Sequence, residues 1–353
     1  MGGSSSRRIL VFRLSALGDV AMTVPVLLSV ARSNPGVSFL FVTKSHFKPI
    51  LQRVPNLEVH SFDANGTHKG LTGLRRLRAE LKQKPFNSIA DLHSVLRTRI
   101  LKILFAGSGI PFVRLDKGRK EKRQLTAWDH KVFVPLRSTH DRYADVFRSL
   151  GFKADPGPED ILKREAWPES FEDYRLEKES INIGFAPFAA HQGKCYPEEQ
   201  VKDLLALLGG LPQVRVYLFG GGKRESNILS TWEKEYSHCV SVAGKASLSD
   251  ELALISNLRL MVSMDSGNGH LAAMYGLPVI TLWGVTHPYA GFSPFGQPAE
   301  NSMLADREKF PAIPTSVYGN KQPKGYDEVM DSIPPTRVFK RISEILKLGR
   351  PKK

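Results

Sequence analysis

The stretch Val262-Ser-Met-Asp-Ser-Gly-Asn-Gly-His270 runs from an apolar segment, through polar and glycine residues, into the small-residue run Leu271-Ala-Ala-Met274. Read as strand, turn and helix, it sets Asp265, Ser266, Gly267, Asn268 and His270 beside the first, unpaired N–H groups of a helix. Those donors and the helix dipole favour an anion such as phosphate, and Gly267 and Gly269 would let it come close to the backbone. The competing reading is that Asp265 or Ser266 simply caps the helix. Pattern alone leaves the two open.

Two more loops could carry chemistry. Ser15-Ala-Leu-Gly-Asp19 follows an apolar run and precedes helical spacing, so Asp19 stands either as a general base for an incoming hydroxyl or as a helix cap. Pro187-Phe-Ala-Ala-His-Gln-Gly-Lys194 follows another apolar run, and Lys194 is of the right type to pair with a phosphate. Neither loop, nor Gly220-Gly-Gly-Lys223, completes the Gly-x-Gly-x-x-Gly of a dinucleotide site, which argues against an NAD dehydrogenase. No Asp-x-Asp occurs to hold a divalent cation against a nucleotide, and Cys195 and Cys239 have no paired Cys/His spacing. No metal site and no cofactor are expected.

Apolar runs of strand length alternate with helical patterns. Ile9 to Leu14 precedes Val20 to Ala31, and Val37 to Thr43 precedes a helix to about Val54. Leu57 to Phe62 precedes Leu71 to Gln83, Ser88 to Leu92 precedes Leu96 to Phe105, and a helix over Asp141 to Leu150 follows. After the charged, Pro- and Gly-bearing residues 152–180, the alternation resumes with strands at Ile181, Val214, Cys239, Leu260 and Val279. This pattern predicts two doubly wound, Rossmann-type α/β domains with parallel sheets covered on both faces. The first spans residues 1–160, 161–180 serve as a linker, 181–335 form the second domain, and 336–353 are a basic helix and tail.

Charge is unevenly spread along the 353 residues. Residues 1–150 hold 26 Lys and Arg against 10 Asp and Glu, whereas the rest hold 24 against 25. Such a field suits an anionic partner: nucleic acid, an anionic membrane surface or a phosphorylated glycolipid. The basic runs around Arg75 and Lys117 contain almost no aromatics, which disfavours a nucleic-acid-binding protein. No apolar run approaches the roughly 18 to 20 residues of a membrane span, and the N-terminus has no apolar signal core, so a cytosolic chain is expected. The opening Met-Gly-Gly-Ser-Ser-Ser matches a loose myristoylation pattern but reads as a flexible tail.

Taken together, the three loops resemble the ADP-heptose:lipopolysaccharide heptosyltransferases, glycosyltransferases of the two-domain GT-B fold. The resemblance covers nearly the whole chain. It rests on Ser15-x-Leu17-Gly18-Asp19-Val20 with Pro25, on Lys194-x-Tyr196-Pro197-x-Glu199, and on Asp265-Ser266-Gly267-x-x-His270 with Gly276-x-Pro278 and Leu282-x-Gly284. The chain departs from the family pattern at Met22, Asn268 and His287, positions that the resemblance puts near sugar and acceptor.

The resemblance implies two domains facing across a cleft and an inverting, metal-independent sugar transfer from an ADP-linked donor to a lipopolysaccharide-core acceptor. It makes Asp19 the base and Lys194 the donor-phosphate lysine. Asp265, Ser266, Gly267, Asn268 and His270 become the nucleotide-sugar loop, with Glu225 and Ala246 at the nucleoside by rough alignment. Ser15, Gly18, Arg75, Arg78, Lys117 and Arg119 would face the anionic acceptor. A monomer in peripheral contact with the inner face of the cytoplasmic membrane is the expected form. The rival enzyme class is a nucleotide-sugar epimerase of similar two-domain outline.

Overall fold

A computed structural model describes residues 7–175 and 180–347. The tail with the myristoylation-like pattern, four residues of the expected linker and the last six residues lie outside the described residues. The chain divides into two compact units, one of residues up to 119 with 137–162, the other of 120–136 with the residues from 163 on.

The first unit comprises β1 (Arg7–Phe12), α1 (Leu17–Ala21), α2 (Thr23–Ser33), β2 (Val37–Thr43), α3 (Lys48–Leu51), β3 (Leu57–Ser61), α4 (Gly70–Lys82), β4 (Ser88–Asp91), α5 (Leu96–Leu104) and β5 (Phe112–Arg114). Next comes α6 (Arg119–Leu125), which from Lys120 on belongs to the second unit, and then α7 (Thr139–Ser149), which completes the first. The sheet is all parallel in the order β3-β2-β1-β4-β5. A strand buried on both faces has to be apolar at every position, and Ile9 to Phe12 are. Leu10, Phe12, Leu40, Val42 and Ile89 point to one face, where Leu74, Leu77 and Leu81 of α4 and Leu101 of α5 cover them. The alternate residues serve the other face, where Phe39 meets Phe147 of α7 edge-on at 6.4 Å. Each such side chain taken out of water contributes roughly 1.5 to 3 kcal/mol.

The second unit adds β6 (Ile181–Ala186), α8 (Glu198–Gly209), β7 (Val214–Leu218), α9 (Gly222–Glu235), β8 (Cys239–Ser241), α10 (Leu248–Ser256), β9 (Leu260–Met264), α11 (Gly267–Ala273), β10 (Val279–Trp283), β11 (Ser302–Leu304) and α12 (Pro335–Ile345). Its sheet is parallel in the order β11-β10-β9-β6-β7-β8. Leu204 and Leu208 of α8 and Val338 and Ile342 of α12 pack on one face, against Ile183, Val216 and Ile280. The two parallel-sheet α/β units match the expected fold class.

Several details differ from the sequence reading. The helix expected over Val20 to Ala31 is two helices that meet at Met22. The helix expected to reach Val54 is the single turn α3. The strands β5 and β11 were not expected: each is a three-residue, partly buried strand at a sheet edge, without the buried continuation that Val242 and Ala243 give the equally short β8. Residues 120–136, read above as part of the first domain, pack in the second unit, where Lys131 Nζ donates to the Pro314 carbonyl at 2.9 Å and Leu136 N to that of Tyr289. With that stretch moved, the first unit holds 23 Lys and Arg against 11 Asp and Glu, and the second 27 against 24. The basic excess thus stays with the first unit but is smaller than a cut at residue 150 suggests.

Candidate functional site

In an open parallel sheet the strand order reverses at one place, and the loops leaving the carboxyl ends of the two strands there splay apart and leave a crevice. In the first unit that place lies between β1 and β4; in the second, between β6 and β9. The Asp19 loop leaves β1, the Lys194 loop leaves β6 and the Asp265 loop leaves β9. All three sequence-predicted loops therefore sit at switch points.

In the second unit, Lys194 is 8% exposed and its Nζ donates to the Asp265 carbonyl at 2.7 Å and to Asp265 Oδ2 at 3.2 Å. The lysine stem is covered by the loop at Gly319, whose backbone lies at φ +83° and where a Cβ would come within 2.6 Å of Lys194 Cδ. Ser266 occupies the cap position of α11, yet its side chain makes no cap hydrogen bond and its Oγ is buried with no hydrogen-bond partner. Asp265 is engaged by Lys194. The capping alternative thus has no support at Ser266. Gly269 has a different role from the one expected of it: a Cβ there would meet Ser263 Oγ at 2.6 Å, so it lets α11 pack closely on β9 instead of admitting a ligand.

Asn268 is half-buried at the start of α11, and His270 is buried within it. Glu225 stands in the first turn of α9, where its carboxylate accepts from Gly221 N at 2.8 Å. Ala246 is half-buried in the turn between β8 and α10. Burial pushes the Cys195 thiol above its usual range. His287, one of the three departures from the family pattern noted in the sequence, is 3% exposed and packs against Phe133 and Tyr289, with ring centroids 5.0 and 4.4 Å away. Its burial, reinforced by Arg307, pushes its pKa down to about 4.

In the first unit, Asp19 Oδ2 lies 2.5 Å from Arg13 Nη2 and accepts from Ala16 N at 3.2 Å. Asp19 is thus a cap of α1 and a charge partner at once, and both contacts fall on one oxygen. Arg13 is 6% exposed and also donates to the Leu92 carbonyl at 2.9 Å, which ties the loop after β4 to the end of β1. His93 Nδ1 accepts from Leu14 N at 3.3 Å. Burial, then Arg13, Lys117 and Arg97, push its pKa down to about 3, so the imidazole is neutral and carries its proton on Nε2. Asp91, fully buried, accepts from the amides of His93 and Ser94 through Oδ1, and burial raises its pKa. The Lys117 pKa is lowered, by burial first and then by Arg13 and Arg119.

Ser15, Gly18, Asp19 and Lys117 gather at this switch point with Arg13 and His93, which the motifs did not single out. Arg119 opens α6, exposed, while Arg75 and Arg78 stand apart on α4 in the helix layer, Arg78 with its guanidinium 5.8 Å from the Phe105 ring. Arg13 and His93 left no signal because only the pairing of β1 with β4 brings Leu92 to Phe12 and His93 to Leu14.

One more cluster joins His60, His68 and Glu80, whose ligand-type atoms lie within 4.8 Å of one another. His68 Nδ1 accepts from Asp63 N at 3.0 Å, which puts its proton on Nε2, the atom facing the Glu80 carboxylate at 3.2 Å. The nitrogen that a metal would need is therefore occupied by a proton, and the cluster is a carboxylate hydrogen-bonded to imidazole. Among the described residues, no helix is long and apolar enough to cross a membrane.

Residues 74–318 match the model of glycosyltransferase family 9 (heptosyltransferase). The chain is 25% identical over 291 residues to the lipopolysaccharide core heptosyltransferase OpsX of Haemophilus influenzae, covering 80% of each chain. Among solved structures it is similar to the family 9 glycosyl transferase of Veillonella parvula, with a TM-score of 0.76, 21% identity and 98% of both chains covered. It is also similar to E. coli heptosyltransferase WaaC with ADP-2-deoxy-2-fluoro heptose, with a TM-score of 0.67, 19% identity and coverage of 96% of this chain and 99% of that one. With the family model matching well over half of its length, the chain belongs to glycosyltransferase family 9, the heptosyltransferases.

Proposed function

We propose that the chain moves a heptose from ADP-heptose to a lipopolysaccharide-core acceptor, with inversion at the transferred carbon and without a metal ion. The observation that carries this reading is the seat of Lys194. Two of its ammonium hydrogens are taken by Asp265, which fixes the group at the switch point and leaves the third for a donor phosphate. The partnerless Ser266 Oγ beside it supplies a further hydrogen-bonding group. A fixed ammonium performs the charge neutralisation that a divalent cation performs elsewhere. The donor is read from the nucleotide sugar carried by the similar E. coli structure.

In the reaction, the acceptor oxygen forms a bond to the anomeric carbon as the bond from that carbon to the phosphate oxygen breaks. ADP leaves with the electron pair, its growing charge met by Lys194. The proton of the acceptor hydroxyl passes to Asp19, whose Oδ1 takes no hydrogen bond among the described residues while Arg13 and Ala16 N hold Oδ2. A base held in this way is worth typically 10² to 10⁴ in rate, or about 3 to 5 kcal/mol. Ser15, Gly18, Lys117 and Arg119 would face the anionic acceptor. Because that acceptor is lipid-anchored and the donor water-soluble, the enzyme works in peripheral contact with the inner face of the cytoplasmic membrane; a monomer is the proposed form.

Incubation with ADP-heptose and heptose-free lipopolysaccharide core, with and without EDTA, tests the proposal. ADP release and a product of inverted anomeric configuration, undiminished by EDTA, are expected. A retained configuration or loss of turnover with EDTA overturns the mechanism. Isomerised donor in the absence of acceptor would show an epimerase instead.

A further inference from the structure

The helices α4 and α5 lie side by side on one face of the first unit's sheet, their inward leucines in a shared core. Their outward sides are unusual in two independent ways. The two helices together carry seven Lys and Arg against a single acid, Glu80, which is already engaged with His60 and His68. On the opposite face of the same sheet, α2 and α7 carry three against two. Half of the first unit's net charge of +12 therefore lies on these two helices.

Within that basic field stand large aliphatic side chains in water. Leu96 is 72% exposed, Ile103 73% and Leu71 48%. Leu96, Arg99 and Ile103 follow the i, i+3, i+7 spacing of one helix stripe; Leu71, Arg75 and Lys82 share another on α4. A soluble anion would need the cations but not the leucines, and a nucleic-acid strand would need exposed rings to stack on, whereas this face offers aliphatic chains. Cations surrounding protruding aliphatic groups fit the headgroup and upper acyl region of an anionic bilayer. Leu96 opens α5 just beyond the His93 loop, so the face begins at the switch point that carries Asp19.

We propose that the outward face of α4 and α5, through Leu71, Arg75, Leu96, Arg99, Lys102 and Ile103, docks on an anionic phospholipid bilayer. The biological sense of this rests on the reading of the acceptor as lipid-anchored, but the docking is measurable without donor or acceptor.

The test is co-sedimentation of the purified chain with vesicles of phosphatidylcholine alone or with phosphatidylglycerol. Binding to the anionic vesicles only, weakening with salt, is expected. The triple change Arg75→Glu, Arg99→Glu, Lys102→Glu should weaken it on the order of 100-fold. Leu96→Ser with Ile103→Ser should weaken it about tenfold at unchanged charge. The control Lys234→Glu, Lys309→Glu, Lys340→Glu removes the same charge from exposed positions of the second unit and should keep most of the binding. Equal loss in the control, no binding to anionic vesicles, or binding indifferent to the Leu96 and Ile103 changes overturns the proposal. So does tighter binding to an oligonucleotide, lost on charge reversal but not on the serine changes. Turnover of a delipidated core acceptor by the unaltered chain, set beside that chain's vesicle binding, separates the two readings. Vesicle binding without heptose transfer would sink the enzymatic reading alone, and transfer without vesicle binding would sink the docking face alone.

Discussion

Lys194 Nζ donates to the main-chain carbonyl of Asp265, 71 residues further along the chain, at 2.7 Å, and to that residue's own carboxylate at 3.2 Å. A buried ammonium needs such partners, and here both come from Asp265, the residue just before Ser266 with its partnerless Oγ. The pair fixes a positive charge at the reversal point of the second unit's sheet without fully quenching it.

Lys194→Ala removes that charge and leaves the Asp265 carboxylate facing the phosphate site. A rise in KM for ADP-heptose of roughly 10- to 100-fold is expected, with a fall in kcat, since the ammonium meets more charge in the transition state than in the ground state. Steady-state kinetics with varied donor checks it. Unchanged kcat and KM would remove Lys194 from the site.

Asp19→Asn keeps the size and the hydrogen bond from Ala16 N but cannot take a proton. Turnover should fall by roughly 10² to 10⁴ with donor affinity within about threefold of the parent. Calorimetric titration with ADP-heptose beside a single-turnover assay separates the two quantities. Loss of donor binding would count against a base on the first unit.

Gly319→Ala should act on the same lysine from outside. The residue sits at φ +83°, where an L side chain is strained by about 1 kcal/mol or more, and its Cβ would press on Lys194 Cδ. Thermal unfolding should shift down by a few degrees. Donor KM should rise although the residue offers no group to the substrate. An unaltered KM would show that the loop does not position Lys194.

Stability should fall with acid in a defined window. His93 and His287 take up no second ring proton in the folded chain until about pH 3 and pH 4, whereas an unfolded histidine takes one at about 6.5. Between about pH 6.5 and 4 the unfolded state binds the extra protons, so stability decreases as pH drops, by at most about 1.4 kcal/mol per pH unit for each imidazole. Chemical denaturation from pH 7.5 to 4.5 checks the slope. His287→Gln, whatever its own stability, should flatten it; an unaltered slope would place the proton uptake elsewhere.

The strands of both units were legible because burial on both faces demands uninterrupted apolar residues, as from Ile9 to Phe12 and from Leu260 to Met264. The loops of Asp19, Lys194 and Asp265 were legible for a related reason: polar and glycine residues directly after a buried strand are costly unless a turn uses them. The edge strands β5 and β11 were not, since three partly buried residues show neither a period nor an apolar run, nor was the placement of residues 120–136 with the second unit. The sequence by itself thus determined two α/β units, the loops that carry their polar chemistry and the sign of the charge on the first. Tertiary structure decided which loops meet. Hydrogen-bonded strand order, a property of pairing between distant segments, put His93 and Arg13 beside Asp19, gave Lys194 its partner in Asp265, and assigned Gly269 to helix packing instead of ligand approach.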